Sequence, residues 1–200
     1  MRVTRWADLA GKALLLALLL SALIWPDLSG VKEKAGTARL VVYPLGGVVV
    51  PLWWFAYGRR RAIRDRPDRS AAYPWLADLL VTLPWSLDLL GNRLGLFDSV
   101  SWWDDMMHFL NWLLLTAGVL LAWAPRSAVS RGLFVMVGLG FGATAAVVWE
   151  LGEYAAFVRH SSELTTAYTD TLGDLALGSL GALLAGLIVG QIAGVRRDRS

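Results

Sequence analysis

The segment TLGDLALGSLGALLAGLIVGQIAGV, residues 171–195, decides the fold class of this chain. It carries one charged residue, Asp174, and it exceeds the roughly 20 apolar residues that a helix needs to cross a bilayer. Glycine and alanine recur in it at steps of three or four, a spacing typical of transmembrane helices that approach one another closely. The segment therefore predicts a membrane-spanning helix packed inside a bundle.

Apolar runs of the same kind recur along the whole chain. Its 200 residues are 56% hydrophobic and 18% charged, whereas soluble domains average about 25% charged residues. The runs lack the alternation of a membrane β-barrel, so we predict an all-α polytopic membrane helical bundle of about six transmembrane helices, in a single domain over residues 1–200. The predicted spans are residues 8–25, 40–57, 73–90, 105–123, 132–158 and 171–195.

The N-terminal segment has a second interpretation. Arg2 and Arg5 precede an apolar run, which is also typical of a secretory signal peptide. No small-x-small cleavage motif precedes Val31, and this favours a first helix that is retained.

Arginine and lysine lie mainly on alternate connections between the predicted spans. Residues 58–70, a predicted basic cytoplasmic loop, contain six arginines, and further basic residues lie near both chain ends. The connections on the other side carry Lys32, Lys34, Arg39, Arg93 and Arg159. By the positive-inside rule we predict a multi-pass protein of the bacterial cytoplasmic (inner) membrane, with both termini in the cytoplasm.

Ionisable residues gather where three predicted spans meet the extracytoplasmic side. Each span carries two of them at a spacing of three or four, so each pair lies on one helical face. Small residues continue these faces in the last two spans, which predicts that the faces point into the bundle. Asp88 and Asn92 of the third span lie near the same level. The clustered residues are Asp105 and His108, Glu150 and Glu153, and Asp170 and Asp174.

Helix capping is the alternative explanation for part of this cluster. Asp104, Asp105 and Asp170 stand where helix N-caps belong, and the helix dipole favours an acid there. Glu150 and Glu153 lie near the end of their predicted helix, where the dipole opposes an acid. These two residues therefore favour a functional site, because charges at membrane depth usually face a partner or a watered cavity.

The residue types in the cluster indicate three classes of function. Carboxylates with one imidazole suit a divalent metal such as Zn, Mn or Fe, and Asp105, His108, Glu150, Glu153, Asp170 and Asp174 are the predicted ligands. If the site is catalytic, Glu150 and His108 are the candidates, acting on an envelope lipid or lipid-linked precursor. The second class is a small proton- or cation-coupled transporter, and the third is a membrane accessory protein without chemistry.

Composition excludes other kinds of partner and site. The chain has no cysteine, which excludes thiolate zinc sites, iron–sulfur clusters and disulfides. Its basic residues punctuate apolar runs and do not form a basic face, so we predict the lipid bilayer as partner and no nucleic acid.

Three motifs resemble known families. The blocks WDDMMHF (residues 103–109), WELGEY (149–154) and DTLGD (170–174), followed by Gly181 and Ala182, look like the YjdF-like family of uncharacterised bacterial inner-membrane proteins. The resemblance covers roughly residue 78 to the C-terminus. The Asp-x-x-His-Phe pattern and the late aspartate are more distantly similar to VanZ-like proteins, which are associated with glycopeptide-antibiotic resistance. The resemblance implies a shared fold and shared positions for the residues of these motifs. It does not imply a particular reaction.

Overall fold

The computed structural model describes residues 2–28, 30–32, 34–65, 72–123 and 130–197. Within these ranges the chain forms α-helices, joined by short 3₁₀ turns and one π-helical turn, Trp54–Gly58, and it contains no strand. The α-helices are α1 (Arg2–Ile24), α2 (Gly36–Val42), α3 (Pro44–Trp53), α4 (Arg59–Asp65), α5 (Trp75–Arg93), α6 (Leu96–Ser99), α7 (Trp103–Trp123), α8 (Arg131–Ala156) and α9 (Ala167–Arg197).

Five helical stretches of the described chain are long and apolar enough to cross a membrane. The predicted helical membrane bundle is therefore confirmed. The five stretches are Arg2–Ile24, Gly36–Arg64, Trp103–Ala122, Arg131–His160 and Ala167–Ile192. The third predicted span corresponds to α5, which has 19 residues but is not one of the five. It packs between α1 and α7, and its buried polar residues include Asp78, Thr82 and Asp88.

The second membrane-length stretch continues further than the sequence predicts. The π-helical turn follows Pro51, a residue that has no N–H to donate within the helix, and α4 then carries the helix on to Asp65. Residues 59–65 of the predicted basic loop are therefore helical, and residues 66–70 of it lie outside the described residues.

Close packing of α7, α8 and α9, in which α8 runs antiparallel to the other two, positions the clustered side chains. A Cβ atom added to Gly142 would lie 2.1 Å from the Cβ of Ala182, and one added to Gly181 would lie 2.2 Å from the carbonyl oxygen of Phe109. The small-residue faces of the last two spans are thus in contact, and the helix ends that carry His108, Glu150 and Asp174 meet. We call this the acidic end, and the opposite end, with Arg5 and Arg59, the basic end.

Candidate functional site

A cavity of about 340 Å³ opens at the acidic end. Its polar walls come from five helices, because α2, α5, α7, α8 and α9 all reach this end. The charged side chains that line it on these helices are Arg39, Asp88, Asp104, His108, Glu150, Glu153, Asp170 and Asp174.

The imidazole of His108 lies at the centre of this group. Its Nε2 atom is 3.6 Å from Asp104 Oδ1 and 3.7 Å from Asp174 Oδ1. Its Nδ1 atom is 3.7 Å from Glu150 Oε1. These separations exceed those of normal hydrogen bonds. Carboxylates of three helices thus surround the ring without bonding to it directly.

Two sets of side chains have ligand atoms that all lie within 4.8 Å of one another, close enough to hold one metal ion. One set is Asp104, His108 and Asp174, and the other is His108, Glu150 and Glu153. Glu150 is oriented by α9, since the Thr171 hydroxyl donates a hydrogen bond of 3.2 Å to its Oε2. Both sets share His108, so the two ring nitrogens face different groups of acids.

Arg39 binds the acids on the other side of the cavity. Its Nε is 3.1 Å from Asp88 Oδ2, and its Nη2 is 3.5 Å from Glu153 Oε1. The Tyr43 hydroxyl also donates to Asp88 Oδ2, at 2.7 Å. Arg39 is buried, with 7% of its surface exposed. The predicted topology has Arg39 in an external connection, whereas in the structure it lies inside α2 and joins α5 and α8.

Aromatic rings form the rest of the wall between these ionic groups. The ring centroids of Tyr43 and Trp85 are 5.0 Å apart, and Trp149 lies 6.1 Å from each of them. The side chains of Phe97 and Trp112 also line the cavity. The cavity is therefore amphipathic, with acids and an imidazole on one side, a guanidinium on another and indole rings between them.

Five of the six predicted ligands line this one cavity, namely His108, Glu150, Glu153, Asp170 and Asp174. Asp105 is exposed and does not line it, and its neighbour Asp104 faces His108 instead. Both aspartates lie within one turn of His108, so periodicity alone does not distinguish them. Sequence reasoning also missed Arg39 and Tyr43. An arginine close to an apolar span is the signal that could have identified the first.

A second buried ionic group lies at the basic end. Lys12 Nζ is 2.7 Å from Asp8 Oδ1 and 2.6 Å from Asp78 Oδ2, so one ammonium bridges α1 and α5. The Tyr73 hydroxyl donates to Asp78 Oδ2. Asp8 and Asp78 are 0% and 1% exposed, and each has one buried oxygen without a hydrogen-bond partner among the described residues.

Comparison with known proteins identifies the family but no characterised relative. No curated protein and no solved structure matches the chain. The family model described as "Predicted membrane protein (DUF2238)" matches residues 11–195. That range includes the acidic-end cavity and nearly all of the bundle, and the chain therefore belongs to this family of predicted membrane proteins.

Proposed function

We propose that the acidic end holds a divalent metal ion bound by Asp104, His108 and Asp174. The observation that carries the proposal is the spacing around His108 Nε2, 3.6 Å and 3.7 Å to the two carboxylate oxygens. Ligands of one tetrahedral ion with bonds of about 2.1 Å lie about 3.4 Å apart, so small side-chain shifts bring all three atoms to bonding distance. One imidazole and carboxylates suit Zn, Mn or Fe.

The Nε2 side of the ring suits the ion better than the Nδ1 side. A neutral imidazole has one nitrogen with a free lone pair and one N–H, so it binds one ion and donates one hydrogen bond. Glu150 would accept the Nδ1–H, which is how metal-bound histidines are usually oriented. Glu153 faces the Arg39 guanidinium at 3.5 Å, and that cation offsets the charge a metal would otherwise balance. Glu150 is thus a positioning residue, and Glu153 belongs to the Arg39 group.

The substrate we propose is an amphipathic anion, an envelope lipid or lipid-linked precursor on the extracytoplasmic side. Trp85 and Trp149 offer apolar walls to a lipid chain, and Arg39 places a guanidinium on the same cavity. A divalent ion supplies Lewis acidity towards a phosphoryl or carbonyl oxygen. Asp170 lines the cavity, is exposed and is not one of the three proposed metal ligands. Its carboxylate can therefore act as the general base.

Metal analysis of the full chain, purified in detergent and loaded with Zn²⁺ or Mn²⁺, tests the site. We expect about one ion per chain, and Asp104→Asn should lose it because a ligand is gone. Asp105→Asn is the matched control, since Asp105 is the next residue of α7, is exposed and does not line the cavity. Glu150→Gln should weaken binding about 10- to 100-fold. Equal metal content in the two aspartate variants would contradict the proposal.

A small cation- or proton-coupled transporter is the second candidate, and the group at the basic end favours it. Asp8, Lys12 and Asp78 supply buried charge at that end, and Thr82 and Ser86 place fully buried hydroxyls on α5 towards the acidic end. Ionisable groups at both ends of a membrane bundle are typical of ion pathways. Cation or proton flux into proteoliposomes that Asp78→Asn abolishes would support a transporter, whereas metal binding without flux would support the first candidate.

A further inference from the structure

A groove of about 440 Å³ opens at the basic end, away from the proposed metal site. It lies between α1, the α3–α4 stretch and α5. Its walls are largely apolar and aromatic, and they are formed by Leu9, Pro51, Trp54, Phe55 and Trp75. Aromatic residues of this kind concentrate where a membrane protein meets the headgroup level of the bilayer. The groove therefore has the lining expected of a lipid-facing surface at the interface.

Two guanidinium groups flank this groove from different helices. Arg59, the first residue of α4, lines it and is exposed. Arg5 of α1 places its guanidinium carbon 5.5 Å from the ring centroid of Trp75, another groove residue. Lys12 also lines the groove, but its ammonium is held between Asp8 and Asp78. Among the described residues, no carboxylate lies within ion-pair distance of Arg5 or Arg59.

We propose that this groove binds one anionic phospholipid of the adjoining leaflet, with its phosphate at Arg59 and Arg5. Guanidinium groups match phosphate oxygens in a two-pronged geometry, and basic pockets between transmembrane helices are known to hold lipid headgroups. The acyl chain lies along Leu9, Pro51 and Phe55. Asp8 and Asp78 carry two carboxylates against the single ammonium of Lys12, and this local excess of negative charge keeps the phosphate at the arginines.

The test compares lipids that differ only in headgroup charge. The full chain in detergent is titrated with phosphatidylglycerol or phosphatidylcholine of the same acyl chains, and bound lipid is counted by native mass spectrometry. We expect phosphatidylglycerol to bind at one site and phosphatidylcholine to bind at least about fivefold more weakly, the effect of roughly one guanidinium at a membrane surface. Inorganic phosphate is titrated in a third arm and should leave lipid binding unchanged.

Arg59→Gln and Arg60→Gln form a matched pair of variants. Both residues are exposed arginines at the start of α4, and only Arg59 lines the groove. Arg59→Gln should weaken phosphatidylglycerol binding about fivefold, and Arg60→Gln should leave it unchanged. If both variants bound phosphatidylglycerol equally weakly, the lipid would be attracted to the basic surface in general, and the proposed site would be overturned. Equal binding of both lipids, or competition by inorganic phosphate, would also overturn it.

Discussion

At the scale of single residues, Arg39 is the buried cation that faces two acids of the acidic end. A buried charge is costly unless it is paired, and Arg39 pairs with Asp88 and approaches Glu153. Its guanidinium also donates to the Lys34 carbonyl oxygen, which anchors the segment before α2. The residue therefore compensates two acids of two other helices, and its removal would leave both without their cation.

Arg39→Ala should destabilise the protein strongly, because it leaves the buried Asp88 and the half-buried Glu153 without their cation. Removing one partner of a buried pair costs about 3–5 kcal/mol, which lowers the melting temperature by about 10 °C in a chain of this size. Thermal unfolding in detergent measures this. Arg159→Ala is the control, since Arg159 is exposed, and its effect should stay within about 0.5 kcal/mol.

Adding Asp88→Asn to Arg39→Ala should recover part of the lost stability, because one of the two unpaired charges is then gone. Strictly additive destabilisation by the two substitutions would show that the guanidinium and the carboxylate do not interact, contrary to their 3.1 Å separation.

At the scale of helices, the contact between α8 and α9 determines how closely the acidic residues approach one another. Gly142 lies against Ala182, and two turns further along α8 comes Glu150, which faces the imidazole that Asp174 of α9 also faces. A helix behaves as a rigid unit over two turns. If α8 and α9 move apart at Gly142, the distance between Glu150 and Asp174 in the cavity should therefore increase as well. The glycines of α8 are not equivalent, since Gly140 has open space around its Cα.

Gly142→Ala should force α8 and α9 apart, because the new Cβ would lie 2.1 Å from that of Ala182. Overpacking of this kind costs about 1–3 kcal/mol and should also reduce metal affinity at the acidic end. Gly140→Ala is the matched control, with no atom within 4 Å of the added Cβ, and should be neutral or stabilising by up to about 1 kcal/mol. Melting temperatures and metal titrations of both variants measure the difference. Equal behaviour would mean that this contact does not position the site.

At the scale of the whole molecule, the bundle has two groups of helices that meet at α5 and α7. In one group α1 and α3 pack against α5, and α2 contacts α1 and α3; in the other, α7, α8 and α9 pack together. Arg39 of the first group and Glu153 of the second approach each other across the acidic-end cavity. The cavity thus lies between the groups, and its position relative to the membrane depends on the orientation of the whole chain.

Reporter fusions test that orientation. The basic residues predict a cytoplasmic location for fusions after Arg66 and after Arg197, and an external location for a fusion after Ser161. An external signal after Arg66 would mean that the acidic end faces the cytoplasm, and the proposed envelope substrate would then be excluded.

The sequence predicts the bundle well, because long apolar runs have few structures open to them in a membrane. It also identifies His108, Glu150 and Asp174, since small residues mark the faces on which the last two lie. It does not distinguish Asp104 from Asp105, because both lie one turn from His108 and only the rotation of α7 selects one. Arg39 and the pairing of Lys12 with Asp78 depend on partners far along the chain, which local spacing does not reveal.

The pairing of Asp8 with Lys12 bears on how the chain enters the membrane during synthesis. N-terminal segments leave the ribosome first, so α1 reaches the translocon well before Asp78 has been made. An unpaired charge within the apolar part of an inserting helix is costly, and Asp8 and Lys12 both lie where the first predicted span begins. Asp8 and Lys12 are one turn apart, and Lys12 Nζ lies 2.7 Å from Asp8 Oδ1. Within α1, Asp8 thus supplies the counter-ion of Lys12. We therefore expect Lys12 to pair with Asp8 while α1 inserts, and to contact Asp78 as well once α5 has been made.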